Sequence, residues 1–445
     1  MNIIIPSNVK YIIDTFYNNN YEAFMVGGCI RDALLNKLPK DYDIATSAKP
    51  EITESLFNKT IPTGIKHGTI TVLIDNEPFE VTTYRTEGEY KDNRHPLAVN
   101  FVSDIKEDLS RRDFTINAFA YNSKEGLKDY FGGLDDLNNK IIRSVGNANK
   151  RFNEDALRIL RAIRFSAQLD FTIEEKTLDA IKDNKDLIKN ISAERIRDEL
   201  CKILISNNAR KGLNLLKECG LIQIIIPEIV PSIGFNQRNM HHYEDVFNHT
   251  LSVVEKCPND LNVRLAALLH DIGKPKAFFI DDNGSGRFFG HNNISDKMAR
   301  VILNRLRFDN KSIKTVCTLV KEHMNVLDNA SNIALKRLIN RVSKENIYSL
   351  LSLQESDVLS LSDPNVAIHK IHDMKNKIDI ILNSNTPLSV KDLAVDGGTL
   401  IRELQLKPGK IVGDILSHLL EIVLKNPEIN NYDSLINEAK IYISK

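Results

Sequence analysis

No apolar run in the 445 residues reaches the roughly 18 that a membrane-spanning helix requires, which argues against a bilayer-embedded chain. The opening MNIIIPSNVK has neither the basic start nor the apolar stretch of a secretory signal, so a cytoplasmic protein with no membrane partner is expected. Cysteine is sparse: five residues, Cys29, Cys201, Cys219, Cys257 and Cys317, odd in number, far apart and mostly in apolar segments. They form neither a disulfide framework nor a CxxC metal site, and reduced core thiols are expected. Charge of either sign is not in excess, with Lys+Arg and Asp+Glu at 59 each. The balance argues against a uniformly basic surface for nucleic acid, yet Arg158, Arg161 and Arg164 can still make a local basic face. Repeats and low-complexity tracts are missing too.

What is present is ordinary globular material, 42% hydrophobic and 27% charged, enough to bury a core. The length exceeds what one core supports, so two or more domains are expected. Residues 22–145 carry short β-type runs, Ala23–Val26, Asp43–Ala45, Gly68–Ile74, Phe79–Arg85 and Phe119–Asn122, separated by turns, which indicates an α/β domain. GTITVLID and FEVTTYR, separated by Asn76–Glu77–Pro78, read as a hairpin. From Ala148 onward helical periodicity dominates, as in DALRILRAIRFSAQ and AERIRDELCKIL. Breaks at Pro227–Pro231, Asp281–Gly286, Ser384–Pro387 and Gly397–Gly398 place domain joints near 146, 206 and 385.

In KDYDIAT, Asp41 and Asp43 lie two apart on an expected strand, which would put both carboxylates on one face. Glu80, on the second hairpin strand, could bring a third. Oxygen ligands of this kind suit Mg²⁺, and two such ions would align an attacking hydroxyl and a leaving pyrophosphate around an α-phosphate. Upstream, VGGCIRDALL sets Gly27 and Gly28 between a strand and a helix, where backbone N–H groups can approach a triphosphate, and Arg31 adds charge. The plainer alternatives are a solvated acidic loop and a tight turn with an Arg31–Asp32 surface pair.

Further along, Glu154–Phe165 is expected to be helical, with Asp155 and Arg158 one turn apart and Arg161 and Arg164 continuing that side. Cytosine and adenine both present an exocyclic amine beside a ring-nitrogen acceptor. A carboxylate can accept from the amine while a guanidinium donates to the ring nitrogen. Uracil and guanine present the reverse pattern, and each mismatched buried group would cost about 1–3 kcal/mol. A solvated arginine face with an i,i+3 ion pair is the bland alternative.

GGxxRD, PKDYDIAT, RRDFTINAFAYN, EDALRILRAIRF and ERIRDEL, in this order and spacing, resemble the class II tRNA nucleotidyltransferases of bacteria, CCA-adding enzymes of the poly(A) polymerase-like superfamily. The resemblance implies an α+β fold: an α/β nucleotidyltransferase head (1–145), then an elongated all-helical neck that selects the base (146–205), a helical body (206–384) and a tRNA-binding tail (385–445). It implies Asp41, Asp43 and Glu80 as catalytic residues, with Mg²⁺ on Asp41 and Asp43. Gly27, Gly28, Arg31, Arg112, Asp155, Arg158, Arg161 and Arg164 are implied for nucleotide binding, while Asp113 has a structural role. RTEGEYKDNRHP, residues 85–96, is polar, is expected to be a mobile loop, and resembles the loop that such enzymes need for the final A. The expected partners are CTP, ATP and the acceptor and T arms of tRNA, with no protein partner.

A second chemistry is suggested by RLAALLHDIGKP, where an apolar helix ends in adjacent His270 and Asp271, able to share a divalent ion. With His249, His291, His323 and Asp357 the order H…HD…H…H…D resembles HD-domain phosphohydrolases, over about 245–365. A divalent metal on His249, His270, Asp271 and Asp357 is expected, and with it a possible second activity, phosphatase or 2′,3′-cyclic phosphodiesterase. The rival readings are an A-adding enzyme or poly(A) polymerase of the same superfamily, a phosphohydrolase with a degenerate head, and an RNA-binding scaffold.

Overall fold

The computed structural model describes residues 3–88, 98–238, 244–327, 330–384 and 386–444. Its internal contacts divide the chain into two units, Met1–Pro227 and Glu228–Lys445. The first is organised by a seven-stranded sheet. Helix α1 (Ser7–Asn18) leads into β1 (Ala23–Val26), α2 (Gly28–Leu34), β2 (Asp43–Thr46), β3 (Thr60–Gly64), β4 (Thr69–Ile74), β5 (Glu77–Thr83), β6 (Arg85–Glu87), β7 (Val99–Phe101), β8 (Phe119–Asn122) and β9 (Gly126–Asp129). Across the sheet the order is β3-β4-β5-β2-β1-β8-β9. β2 runs parallel to β5, and the other neighbours are antiparallel.

Strand β1 is apolar throughout because it is central and covered on both sides. Ala23 and Met25 join Val9, Ile12, Ile13 and Phe16 of α1 in one core. Phe24 and Val26 point the other way, toward Tyr84, Ile105 and Leu109. The β4–β5 hairpin forms, but its turn is Asp75–Asn76, with φ of 51° and 65°, while Glu77 and Pro78 already belong to β5. Asp and Asn tolerate the left-handed backbone that a tight two-residue hairpin turn demands. Arg85–Glu87, expected to open a mobile loop, instead pairs with Val99–Phe101 as a separate ribbon. Residues 89–96 of that expected loop lie outside the described residues.

After the sheet the first unit turns helical, with Ala148–Glu154, Leu157–Leu169 and Ala193–Leu204 the helices that matter for the site. In the second unit, helices Val246–Lys256, Leu261–Leu269, His291–Arg305, Asn310–Glu322 and Ile347–Val358 pack on one another. The Asp281–Gly286 break is the turn of a small hairpin, Phe279–Ile280 with Gly286–Arg287. Three later helices, Gly397–Glu403, Lys410–Lys425 and Tyr432–Ile443, close over their own core of Leu400, Ile415, Leu419 and Leu435. Gly397–Gly398 begins a helix rather than breaking one, because Asp396 caps it by accepting from the Thr399 N–H at 2.7 Å. No described helix is long and apolar enough to cross a membrane.

Candidate active site and metal centre

At the end of β1 the chain turns sharply into α2 through Gly27, whose φ of 79° and ψ of −132° suit a residue without a Cβ. A Cβ there would also stand 2.6 Å from Nη1 of Arg112. Glycine is thus favoured by the backbone of the turn, and a side chain there would displace the guanidinium beside it. Buried Nε of Arg112 has no hydrogen-bond partner, and its Nη2 lies 3.8 Å from Asp108, so this arginine keeps donors free beside the turn.

Strand β2 begins at Asp43, and Asp41 precedes it, so the two do not share a strand face as their spacing suggested. Asp43 gains a different neighbour. Because β2 and β5 are parallel with Ile44 opposite Val81, Asp43 and Glu80, each one residue earlier, stand side by side. All three carboxylates are exposed. Burial of its surroundings raises the Asp43 pKa, Arg112 opposes that, and Asp41 adds to it. An all-oxygen, anionic, solvent-facing donor set fits Mg²⁺. The three side chains do not converge as a tight trio, since among the described residues every group of three donors within 4.8 Å belongs to the second unit.

Helicity is interrupted where it was expected to be continuous. One helix ends at Glu154, the next begins at Leu157, and Asp155 between them is extended, with φ −133° and ψ 103°. Its carboxylate accepts from the Leu157 N–H at 3.1 Å, which explains the break: a side chain that caps the following helix cannot continue the previous one. Asp155 then pairs with Arg195 at 3.2 Å, while Arg158 pairs with Glu154 at 3.0 Å and donates to the Arg111 carbonyl at 2.8 Å.

The other arginines are held by distant carboxylates. Asp113 accepts from Nε of Arg161 at 2.7 Å, and Arg164 bonds Glu199 at 3.0 Å. Arg31, itself buried, donates to Asn117 at 2.6 Å and pairs at 2.8 Å with its neighbour Asp32, which is only half-buried. Three guanidinium groups, of Arg31, Arg161 and Arg164, surround the Phe165 ring at 5.1, 5.3 and 4.2 Å, a favourable contact for cations withdrawn from water. Burial lowers Arg164 to about 10 against the pull of Glu199. Burial pushes Asp113 up, but Arg161, Asn117 and Arg158 outweigh it and hold the carboxyl at about 2. A cavity of about 540 Å³ opens alongside, lined among others by Glu87, Arg111, Arg151 and Glu154. Sequence reasoning assigned no role to Arg195, Glu154 or Glu199; the first and last lie in ERIRDEL, and only their partners' positions show what they do.

In the second unit all six residues of the H…HD…H…H…D order come together. His249 lies 2.9 Å from Asp357, His270 3.1 Å from Asp271, and His291 3.2 Å from Asp271. The Nδ1 atoms of His270, His291 and His323 meet the carbonyls of Ala267, Phe288 and Val320 at 2.7, 2.8 and 2.7 Å. A carbonyl only accepts, so each Nδ1 carries the proton and each Nε2 presents a lone pair inward, as metal-binding imidazoles do. Nε2 of His270 and Oδ2 of Asp271 are buried without a hydrogen-bond partner, although Lys274 sits 2.7 Å from that carboxylate oxygen. Burial opposes protonation of His323, His270 repels it, and its pKa falls to about 4. These residues fit a divalent metal. Lys274, His291, His323, Met324 and Asp357 line a cavity of about 460 Å³ beside them.

Fold and site together define a nucleotidyltransferase head joined to a helical remainder. Residues 23–143 match the poly A polymerase head domain, 170–232 the probable RNA and SrmB-binding site of polymerase A, and 287–439 a putative second domain of tRNA nucleotidyltransferases. A CCA-adding enzyme of Streptococcus agalactiae is 33% identical over 95% of this chain and 94% of its own length. Another, from Lactobacillus johnsonii, is 47% identical over 54% of this chain and 61% of its own length. The chain therefore spans only about three-fifths of that relative. The crystal structure of the Bacillus stearothermophilus CCA-adding enzyme in complex with CTP superposes with a TM-score of 0.71 at 27% identity, covering 99% of this chain and 100% of that one. The chain belongs to the CCA-adding enzyme family.

Proposed function

We propose that this protein adds C, C and A to the 3′ end of tRNA, taking CTP and ATP without a nucleic-acid template, in the cytoplasm. The observation that carries the reading is the placement of Asp43 and Glu80 on adjacent parallel strands beside the Gly27 turn and the free donors of Arg112. The terminal 3′-hydroxyl of tRNA attacks the α-phosphorus and gives up its proton to solvent; a P–O3′ bond forms, the bond from the α-phosphorus to the α,β-bridging oxygen breaks, and pyrophosphate leaves with that oxygen. Gly27 and Gly28 leave room for the triphosphate, Arg112 holds it, and Asp41 and Asp43 would hold Mg²⁺. When bound, Mg²⁺ neutralises the charge that builds on the phosphoryl oxygens. Asp155 and Arg158 read the shared edge of cytosine and adenine; Arg195 and Glu154 keep them placed until a base exchanges for those partners. In functional terms the head is 1–145, the base-selecting neck 146–205, the body 206–384 and the tail 385–445, with tRNA held through backbone and shape.

Extension of a tRNA transcript lacking its CCA end, resolved at single-nucleotide length, tests this. Two additions with CTP alone and a third only with ATP are expected, and Asp43→Ala abolishes all three. No product from CTP, with one or many additions from ATP, moves the chain to the A-adding or polyadenylating rivals.

The buried donors of His270 and Asp271 favour a second reading, hydrolysis of a phosphate ester in the second unit. Water oxygen bonds to phosphorus, the ester P–O bond breaks, and the alcohol leaves with a proton. A divalent metal there would polarise the phosphoryl oxygen, while Lys274 in the cavity wall attracts the anion. Metal-dependent release of p-nitrophenol from p-nitrophenyl phosphate, lost in His270→Ala, is expected; equal rates in both proteins would refute it.

A further inference from the structure

The short helix Ile105–Ser110 carries a buried acid that the reaction as described does not use. Asp108 is 1% exposed, and its two carboxylate oxygens have unequal surroundings. Oδ1 accepts from Nη2 and Nε of Arg111 at 2.8 and 3.1 Å and from the Arg85 N–H at 3.2 Å. Oδ2 has no hydrogen-bond partner and lies 3.8 Å from Nη2 of Arg112. That separation is too long for a hydrogen bond, yet in surroundings withdrawn from water the attraction of opposite charges across it is strong. A buried carboxylate oxygen without a donor is costly, and packing alone would be served as well by a neutral side chain of the same shape. The anion instead counters cations. Three guanidinium groups, of Arg85, Arg111 and Arg112, meet two carboxylates, of Asp108 and of Glu87, which pairs with Arg85 at 3.0 Å and Arg111 at 3.2 Å. Burial and the neighbouring Arg111 lower the Arg85 pKa against the pull of both carboxylates, as crowded cations do.

We propose that Asp108 is a positioning residue for nucleotide transfer: it aims the Arg112 guanidinium at the triphosphate site beside Gly27 while leaving that group's donors unoccupied. Nη1 of Arg112 stands beside the Gly27 turn, Nη2 faces Asp108, and the buried Nε has no partner. An arginine already hydrogen-bonded to a carboxylate has to break that bond before it takes a phosphate. One held by charge alone is oriented before the substrate arrives and gives up nothing when it does. Asp108 also fixes Arg111, whose carbonyl accepts from Nη2 of Arg158 at 2.8 Å, so the same anion steadies the residue against which the base-reading arginine leans. In Asp108→Asn the amide keeps the shape and loses the charge. Three cations then face one carboxylate, and Arg112 turns away from the other two. This inference rests on the nucleotidyltransferase reading of the head.

Steady-state kinetics of the full chain on a tRNA transcript lacking its CCA end test it. Asp108→Asn should raise KM for CTP and for ATP alike by about tenfold, a coupling typical of neighbours in contact, with kcat changed by less than about twofold. In an Arg112→Ala background the same substitution should leave both KM values within about twofold, because no guanidinium remains to be aimed. Asp108→Glu restores the charge and adds bulk, and its KM should stay within about threefold of the unaltered protein. A packing role reverses that order, since asparagine matches the shape and glutamate does not. Should Asp108→Asn fail to fold, Asp108→Glu decides alone: a KM raised about tenfold or more overturns the proposal. An equal rise in KM with and without Arg112, or no rise at all, overturns the role of Asp108 and leaves the nucleotidyltransferase reading intact; no transfer of either nucleotide by the unaltered protein overturns both.

Discussion

Replacing Asp113 with asparagine removes the anion that holds Arg161, and the structure sets the size of the effect. The carboxyl is lowered from an ordinary 3.8 to about 2; at about 1.36 kcal/mol per tenfold in acidity that corresponds to about 2.4 kcal/mol. Breaking one side of a buried pair leaves the other charge stranded, which costs about 3–5 kcal/mol where the group is fully enclosed. Arg161 retains one-third side-chain exposure, 33%, so a loss nearer about 2–3 kcal/mol is expected at pH 7. A group with a depressed pKa contributes above its unfolded pKa and loses that contribution as pH falls through the folded one. The gap between wild type and Asp113→Asn should therefore be full at pH 6–7 and about 1 kcal/mol smaller at pH 3. The chain has no tryptophan, so urea unfolding is best followed by circular dichroism, with hydrogen exchange of β1 and β8 to isolate the first unit. A gap below about 0.5 kcal/mol at pH 7, the size of an ordinary surface substitution, or one that widens on acidification, would refute the reasoning.

Other outcomes follow from the same geometry. Gly27→Ala places a Cβ 2.6 Å from Arg112 at a φ of 79°; it should destabilise the first unit by about 1–3 kcal/mol and depress kcat/KM for CTP and ATP alike, whereas a loss for one nucleotide only would show that Arg112 is not the group displaced. Arg195→Ala frees Asp155 from its 3.2 Å partner, so misincorporation of UTP should rise more than CTP use falls; unchanged selectivity would separate Asp155 from base reading. Burial raises the five thiols to about 11 or 12, leaving about a thousandth or less as thiolate at pH 8. Native protein should react with a thiol reagent only slowly, and rapid labelling of Cys29 would contradict the packing around β1.

Much of this protein is written locally. Ala23–Val26 and Phe119–Asn122 are strands with the ends their composition indicates, because a short apolar run bounded by turn residues has few other ways to hide its backbone. The apolar helix ending at His270 and the amphipathic one ending near Leu424 are likewise set by their own periodicity. Local pattern fell short where one side chain overrides it: Asp155 caps the next helix, and Asp75–Asn76 rather than Glu77–Pro78 makes the hairpin turn. The tertiary structure alone decided which charges meet. Arg161 finds Asp113 across 48 residues, Arg195 finds Asp155 across 40, and Arg164 finds Glu199 across 35. Asp43 acquires Glu80 only because β2 lies parallel to β5. The order of histidines along the chain marks a cluster of metal-ligating residue types, yet its division into two trios around Asp271 belongs to the packing of helices. Periodicity is a property of neighbours in sequence, whereas ion pairs and ligand sets depend on distances that exist only once separate segments have packed together.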